Sequence, residues 1–294
     1  MLYIGTPTYN RPKYIRRLAV NIKNIEAGIW IIRDNGENGP LFDDLCKAGY
    51  NEYNLKYYKN EKNIGSRNNL LRILKDFVKL AKNGDSLLCV SDDDLIDEKI
   101  YKIAKLETKK NQLKVFGSVR NKNNGEDLNI ENNLNIEVRE DLKPDSIKNL
   151  PKFIDNLRLY SGLIIDYRLA KKILTLESLS GLVSKSWYPM QLYAFEAEEI
   201  ESNQNVPLII HTVGNEIFWN EKDVNLSYEL TNERKETYKE LKKIYKMNKD
   251  LKRYRLALDV SKRYNLRHLF LRIALYKIFP FKKTLKKLIY KFWS

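Results

Sequence analysis

Over the first hundred residues, short apolar runs alternate with longer stretches in which apolar residues recur every three to four positions. That alternation predicts βαβ units and a mostly parallel sheet flanked by helices, an α/β fold. Leu2 to Thr6 reads as the first strand. A helix follows from about Pro12 to Ala27, with Ile15, Leu18, Ala19, Ile22 and Ile25 on one face, Asn10 placed as its cap and Gly28 as its stop. Ile29 to Arg33 predicts a second strand, Leu41 to Lys47 a short helix, and Leu55 to Lys59 a third strand. Asn63-Ile64-Gly65-Ser66 then turns into a helix with Leu70, Leu71, Leu74, Phe77, Val78 and Ala81 on its apolar face. Ser86 to Val90 is apolar enough for an interior parallel strand, and it breaks off in Asp92-Asp93-Asp94.

The pattern weakens downstream. Lys114 to Val119 predicts a fifth strand, Leu159 to Ile165 another sheet-like run, Ala170 to Leu176 a helix, and Val206 to Val213 the run that closes the folded core. Between them, Asn121 to Asn135 is rich in Asn and poor in apolar residues, which predicts a loop. From about Leu226 the chain is charged and helical in pattern, so the expected division is a domain over 1–225 and a helical C-terminal region over 226–294.

Composition changes this picture in two ways. A chain of 294 residues with 43% hydrophobic content can bury a substantial core, which excludes disorder and a disulfide-stapled miniprotein. Cys46 and Cys89 are the only cysteines, too few for a disulfide framework or a thiolate cage, and this fits a reducing compartment. The opening residues lack the basic and apolar regions of a cleaved signal, so a cytoplasmic location is expected. The net charge of +15 is unevenly placed. Residues 251–294 hold 13 Lys and Arg against the single acid Asp259, leaving +3 for all the rest. A nucleic-acid-binding protein more often spreads its cations over a folded face, so no nucleic-acid partner is expected.

The polar residues with chemical potential fall at the carboxyl ends of successive predicted strands. Thr6 to Arg11 follow the first strand, Asp34 and Asn35 the second, Arg67 the third, and Asp92 to Asp94 the fourth. In an open α/β sheet that edge is where ligands bind. Three acids beside an arginine and a helix N-terminus suit a divalent cation holding a multiply charged phosphate.

Thr6-Pro7-Thr8-Tyr9-Asn10-Arg11, Asp34-Asn35-Gly36, Asn60-Glu61-Lys62-Asn63-Ile64-Gly65 with Arg67-Asn68, and Ser91-Asp92-Asp93-Asp94, in this order and strand context, resemble the nucleotide-sugar-binding half of the GT-A glycosyltransferases, most closely glycosyltransferase family 2. The resemblance covers residues 1 to 120 and fades toward 225. It implies a GT-A (Rossmann-like) fold and transfer of a sugar from a nucleotide sugar, commonly a UDP-sugar, to a hydroxyl. By it, Thr6, Pro7, Thr8, Tyr9, Asn10 and Arg11 would line the base pocket, Asp34 with Asn35 would accept from the base imide, and Arg67 would lie near the nucleotide. The acidic turn would be the family's D-x-D: Asp92 facing the ribose with Asp93 beside it, and Asp94 binding Mn²⁺ or Mg²⁺ between the two phosphates. Some relatives use a late histidine as a further ligand, which makes His211 the second metal candidate.

Plainer readings stand beside these. The acidic run also suits a solvated turn capping a helix at Glu98, Asp34-Asn35-Gly36 an ordinary turn, Arg67 a surface ion pair, and His211, after Ile209 and Ile210, a core histidine. Inverting relatives also need a carboxylate base near a tryptophan. The matching stretch here, Ser161-Gly162 and then Trp187-Tyr188-Pro189-Met190-Gln191, lacks the acidic pair. Asp166, Glu196 and Glu198 are the nearest carboxylates, spacing selects none of them, and no catalytic base is assigned.

The C-terminal segment carries a separate expectation. After Pro280, the residues Phe281, Leu285, Leu288, Ile289, Phe292 and Trp293 fall on one helical face, with Lys283, Lys286, Lys287 and Lys291 mostly away from it. Its length of about 20 Å against a hydrocarbon core of about 30 Å excludes spanning and suits a helix lying in an anionic membrane surface. Packing on the enzyme or an oligomer interface is the alternative for residues 251–294. Together the two halves predict a peripheral enzyme at the inner face of the cell membrane, acting on a lipid-linked or cell-surface glycan precursor in polysaccharide biosynthesis. The rival functions are a sugar-phosphate nucleotidyltransferase, although Thr6 to Arg11 holds no glycine, and a nucleic-acid-binding protein using the basic tail.

Overall fold

The computed structural model describes residues 1–25, 28–36, 41–51, 53–104, 111–120, 137–138, 160–180, 189–211, 238–239 and 241–262. The chain divides into two compact units, Met1–Glu233 and Arg234–Ser294. That division and the expected one after residue 225 both fall within 212–237, outside the described residues, as do the Asn-rich stretch 121–135, Trp187-Tyr188 and the amphipathic segment 281–293.

The first unit is an α/β sheet with helices. Its strands are β1 (Leu2–Thr8), β2 (Trp30–Asp34), β3 (Leu55–Lys59), β4 (Ser86–Cys89), β5 (Asp94–Ile96), β6 (Gln112–Arg120), β7 (Glu137–Val138), β8 (Leu163–Asp166) and β9 (Glu199–His211). The helices are α1 (Pro12–Asn24), α2 (Leu41–Lys47), α3 (Gly65–Leu80), α4 (Glu98–Ala104), α5 (Tyr167–Ser180) and α6 (Pro189–Glu196). The strands form one sheet in the order β3-β2-β1-β4-β8-β6-β9-β5, with β7 on β6.

The expected parallel pairing holds for β3-β2-β1-β4. Beyond β4 the sheet is mixed: β8 runs antiparallel to β4 and to β6, β9 parallel to β6, and β5 antiparallel to β9. Hydrophobic period identifies a strand but not its partner, so the antiparallel pairings are not legible in it. One short strand has no counterpart in the hydrophobic pattern. Asp94 does not end a turn before a helix; it opens β5, three residues long.

The core follows from the alternation. Ile4, Trp30, Ile32 and Leu88 are fully buried in the parallel strands, and Ile15, Leu18, Ala19 and Ile22 of α1 pack in the same cluster, as their spacing predicts. Ile73, Leu74 and Phe77 of α3 are buried as well. Cys89 is buried and Cys46 exposed, and neither is in a disulfide. The start of α1 differs from expectation. Asn10 is not the cap of α1; Arg11 is, without a side-chain bond, and Asn10 takes a left-handed φ of 52°. That conformation reverses the chain after β1, which runs two residues further than the apolar run alone indicates.

Within the second unit, residues 241–247 are helical and α7 covers Leu251–Lys262. Asp250 caps α7 through the Arg253 amide at 3.0 Å, and Lys242 donates to Ser261 at 3.4 Å. No helix among the described residues is long and apolar enough to cross a membrane.

Candidate functional site

Four parallel strands bring their carboxyl ends to one edge, and the main chain ties the turns there to one another. Register places Thr8 beside Asp34 and Asp34 beside Lys59. The Asn35 amide donates to Thr8 O at 2.9 Å, the Asn60 amide to Asp34 O at 2.8 Å, and the Val90 amide to Gly5 O at 3.0 Å. The turns after β1 and β2 touch. A Cβ on Gly36 would stand 2.8 Å from both Asn10 Oδ1 and Asp34 Oδ1, so this position accepts no side chain without separating them.

Side chains join the first turn to the acidic one. Thr8 Oγ1 donates to Asp92 Oδ2 at 2.8 Å. Arg11 Nη1 reaches Asp92 Oδ1 at 3.2 Å and Asp93 Oδ2 at 3.0 Å. Arg17, from the next turn of α1, donates to the Asp93 carbonyl at 2.9 Å. Asp92 and Asp94 are each 4% exposed. Burial and the neighbouring Asp93 push the Asp92 carboxyl up to about 6, against the opposing pull of Arg11 and the Thr8 hydroxyl. A cluster of like charges at a strand end costs stability, and such costs concentrate where a counter-ion or substrate is received.

Asp34 is held from two sides. Its Oδ1 accepts the Gly36 amide at 2.6 Å, and its Oδ2 accepts the Tyr57 hydroxyl at 2.6 Å. Burial, then the bond to Asp34, raises the Tyr57 phenol well above its ordinary range. Phe42 lies over Tyr57 with ring centroids 5.7 Å apart. Asn35 belongs to a buried amide network: Asn60 Nδ2 donates to Asn35 Oδ1 at 2.7 Å and to Asn69 Oδ1 at 2.8 Å, and Arg72 donates to Asn60 Oδ1 at 2.8 Å. The network fixes the start of α3 against the ends of β2 and β3, because Asn35 also receives the Ile64 amide at 3.4 Å and donates to Gly65 O at 3.3 Å. Tyr57 carries no sequence signal of its own. Asn60 sits in the quoted motif, but its partners come from two other segments.

The other expected residues are placed as follows. Thr6 is fully buried and its hydroxyl accepts the Trp30 indole N–H at 3.0 Å. Pro7 stands opposite Arg33. Tyr9 is exposed on the turn. Arg67 lies in the first turn of α3 and His211 at the end of β9, and the side chains of both lie outside the described residues. Backbone register sets His211 directly opposite Asp94. This pairing of residues more than a hundred positions apart brings the two metal candidates onto adjacent strands.

Three adjacent carboxylates, with a histidine opposite one of them, match the oxygen-rich donor chemistry of a hard divalent cation. Among the described residues no three His, Cys, Asp or Glu side chains already converge on one point.

The three carboxylates weighed as a base are elsewhere. Asp166 stands opposite Ser86, at the amino end of β4, and accepts the Gln112, Arg168 and Leu169 amides. Glu196 and Glu198 precede β9, whose first residue pairs with Gln112. Glu196 pairs with Lys172 at 3.3 Å, and Glu198 accepts Asn111 Nδ2 at 2.5 Å. All three lie at the edge opposite Asp92 and serve the scaffold.

No protein-family model and no curated protein matches the chain. Solved structures do. TarS 1-349 of S. aureus aligns with a TM-score of 0.51 and 16% identity over 82% of this chain, which in turn spans 65% of that one. The fold is GT-A. Two more distant matches are a mannosyltransferase of Pyrobaculum calidifontis in complex with GDP-Man and Mn²⁺ (TM-score 0.42, 10% identity, 97% of this chain and 83% of that one) and a glucosyl-3-phosphoglycerate synthase of Mycobacterium tuberculosis in complex with Mn²⁺ and UDP (TM-score 0.42, 10% identity, 82% and 79%). In this GT-A chain the edge that gathers Thr8, Asp34, Asn35 and Asp92 to Asp94 is the carboxyl end of the parallel strands, the ligand edge of open α/β sheets.

Proposed function

We propose that the protein is a metal-dependent glycosyltransferase that moves a sugar from a nucleotide sugar, with UDP as the nucleotide, to a hydroxyl of a lipid-linked or cell-surface glycan precursor. The observation that carries this is the contact of Thr8 and Arg11 with Asp92 and Asp93, which joins the first-strand turn to the acidic turn at the strand ends. In this reading Asp34, held by Tyr57 and Gly36, accepts an N–H of the base. Tyr9, Asn10 and Arg67 flank the nucleotide, and Asp92 faces the ribose.

Asp94, with Asp93 beside it and His211 opposite in register, would hold Mn²⁺ or Mg²⁺. Such a cation, when bound, neutralises the charge that develops on the departing nucleoside diphosphate. The protein's own part is to keep the acid turn rigid, to supply Arg11 and Arg17 as fixed positive charges beside it, and to exclude water from buried Asp92 and Asp94.

The C-terminal segment supports the acceptor half of the proposal. Its thirteen cations over 251–294, each contributing about 1 kcal/mol near an anionic leaflet, would hold the enzyme where a lipid carrier presents its acceptor. Incubating the full chain with UDP-sugars and Mn²⁺ tests the chemistry: metal-dependent release of UDP is expected, and release from none of the common nucleotide sugars would count against it. Sedimentation with anionic liposomes, lost on truncation after Asp250, tests the surface; equal sedimentation of the truncated chain would remove that part alone.

A further inference from the structure

We propose that Ser161 is a positioning residue that fixes the cation-binding carboxylate, a role that rests on the function proposed above. The acid turn is short, and the Asp94 amide closes it by donating to Ser91 O at 3.2 Å. The hydroxyl of Ser161 spans both ends of that turn. It accepts the Ser91 amide at 2.7 Å and donates to Asp94 Oδ2 at 2.5 Å. A serine hydroxyl has one proton, and here it goes to the carboxylate. Ser161 is 8% exposed and Asp94 4%, so bulk water does not compete strongly for either group. A bond from a hydroxyl to an ionised oxygen in such surroundings is of the stronger kind.

The serine is itself held by backbone. Gly162 adopts a φ of +89°, and a Cβ there would stand 3.2 Å from Phe116 O, so the chain reverses directly after Ser161 only with glycine at that place. The Gly162 amide donates to Cys89 O at 3.0 Å and its carbonyl accepts the Phe116 amide at 3.0 Å, which clamps the segment between β4 and β6. Ser161 thus arrives at the acid turn from a segment about seventy residues downstream, on a scaffold that does not depend on the turn. The bond from Ser161 orients the Asp94 carboxylate before a cation arrives.

Partners of this kind behind a metal ligand are worth ten- to a hundredfold in metal affinity. The test is Mn²⁺ titration of the full chain in the presence of UDP, followed by electron paramagnetic resonance of the free ion, for wild type, Ser161→Ala, Ser161→Cys and Ser161→Thr. Alanine and cysteine are expected to weaken Mn²⁺ binding by about ten- to a hundredfold, and threonine, which keeps the hydroxyl, to stay within about threefold of wild type. Cysteine nearly preserves the volume, so its loss is not a loss of packing, and UDP binding without metal is expected to be unchanged in all three. Mn²⁺ affinity in the alanine and cysteine variants equal to wild type would overturn the proposal. Equal weakening in all three, together with a lowered unfolding midpoint without metal, would also overturn it by assigning Ser161 to packing. A wild type that binds UDP but takes up no Mn²⁺ would overturn the metal-dependent reading on which it rests, a distinct result.

Discussion

Both edges of the sheet carry carboxylates, and they use them differently. At the amino end of β4, Asp85 receives the Met1 ammonium and the Lys82 amide, and Asp166 receives three backbone amides, two of them the N-terminal donors of α5. Each acid there satisfies N–H groups that folding would otherwise leave unpaired. At the carboxyl end, Asp92, Asp93 and Asp94 stand beside one another, bonded by the side chains of Arg11, Thr8 and Ser161. The difference shows that carboxylate count does not mark a site. What marks it is like charge gathered side by side, with Asp92 and Asp94 both buried.

The largest contrast between the edges lies in ligand response. UDP with Mn²⁺ at a hundred times its Kd is expected to stabilise the wild type by about 2.7 kcal/mol. Asp94→Ala should lose the metal-dependent share, read as the shift in unfolding temperature, while Asp166→Ala should keep it; a full shift in Asp94→Ala would erase the distinction. Next comes pH. Because the folded Asp92 carboxyl is raised to about 6, the native state binds more protons than the unfolded chain between about pH 4 and 6. Stability from this group is therefore lost as pH rises through that window. In metal-free urea titrations, Asp92→Asn should gain on wild type by roughly 1–3 kcal/mol between pH 4 and pH 8, and a difference that does not change with pH would refute the charge cost. The smallest effect belongs to the opposite edge: Asp166→Ala removes the cap of α5 and should cost about 1 kcal/mol, measured as a lower urea midpoint. No destabilisation there would mean the acid is not structural.

Much of the N-terminal half is legible in the sequence, because parallel strands carry their signal locally. Leu41–Lys47 and Leu55–Lys59 fall where the pattern puts them, and the strand ends carry Asp34, Asn35 and the acid run. The errors have physical causes. The strand opened by Asp94 has three residues and exists because β9 pairs with it, so nothing local announces it. The Tyr57 bond to Asp34 and the Ser161 bonds to the acid turn likewise depend on the fold bringing distant segments together. The mixed half of the sheet was least legible, since antiparallel insertion of β8 between β4 and β6 reflects tertiary pairing.

The central claim is that the carboxyl-end edge grips a cation and a nucleoside diphosphate together. Anomalous diffraction from crystals grown with UDP and Mn²⁺ tests it most directly. The account predicts one strong manganese peak at coordinating distance from the Asp94 carboxylate, with UDP density running toward Asp34. A manganese peak at Asp166 or Glu198, or bound UDP away from the Thr8–Asp92 contact, would contradict it.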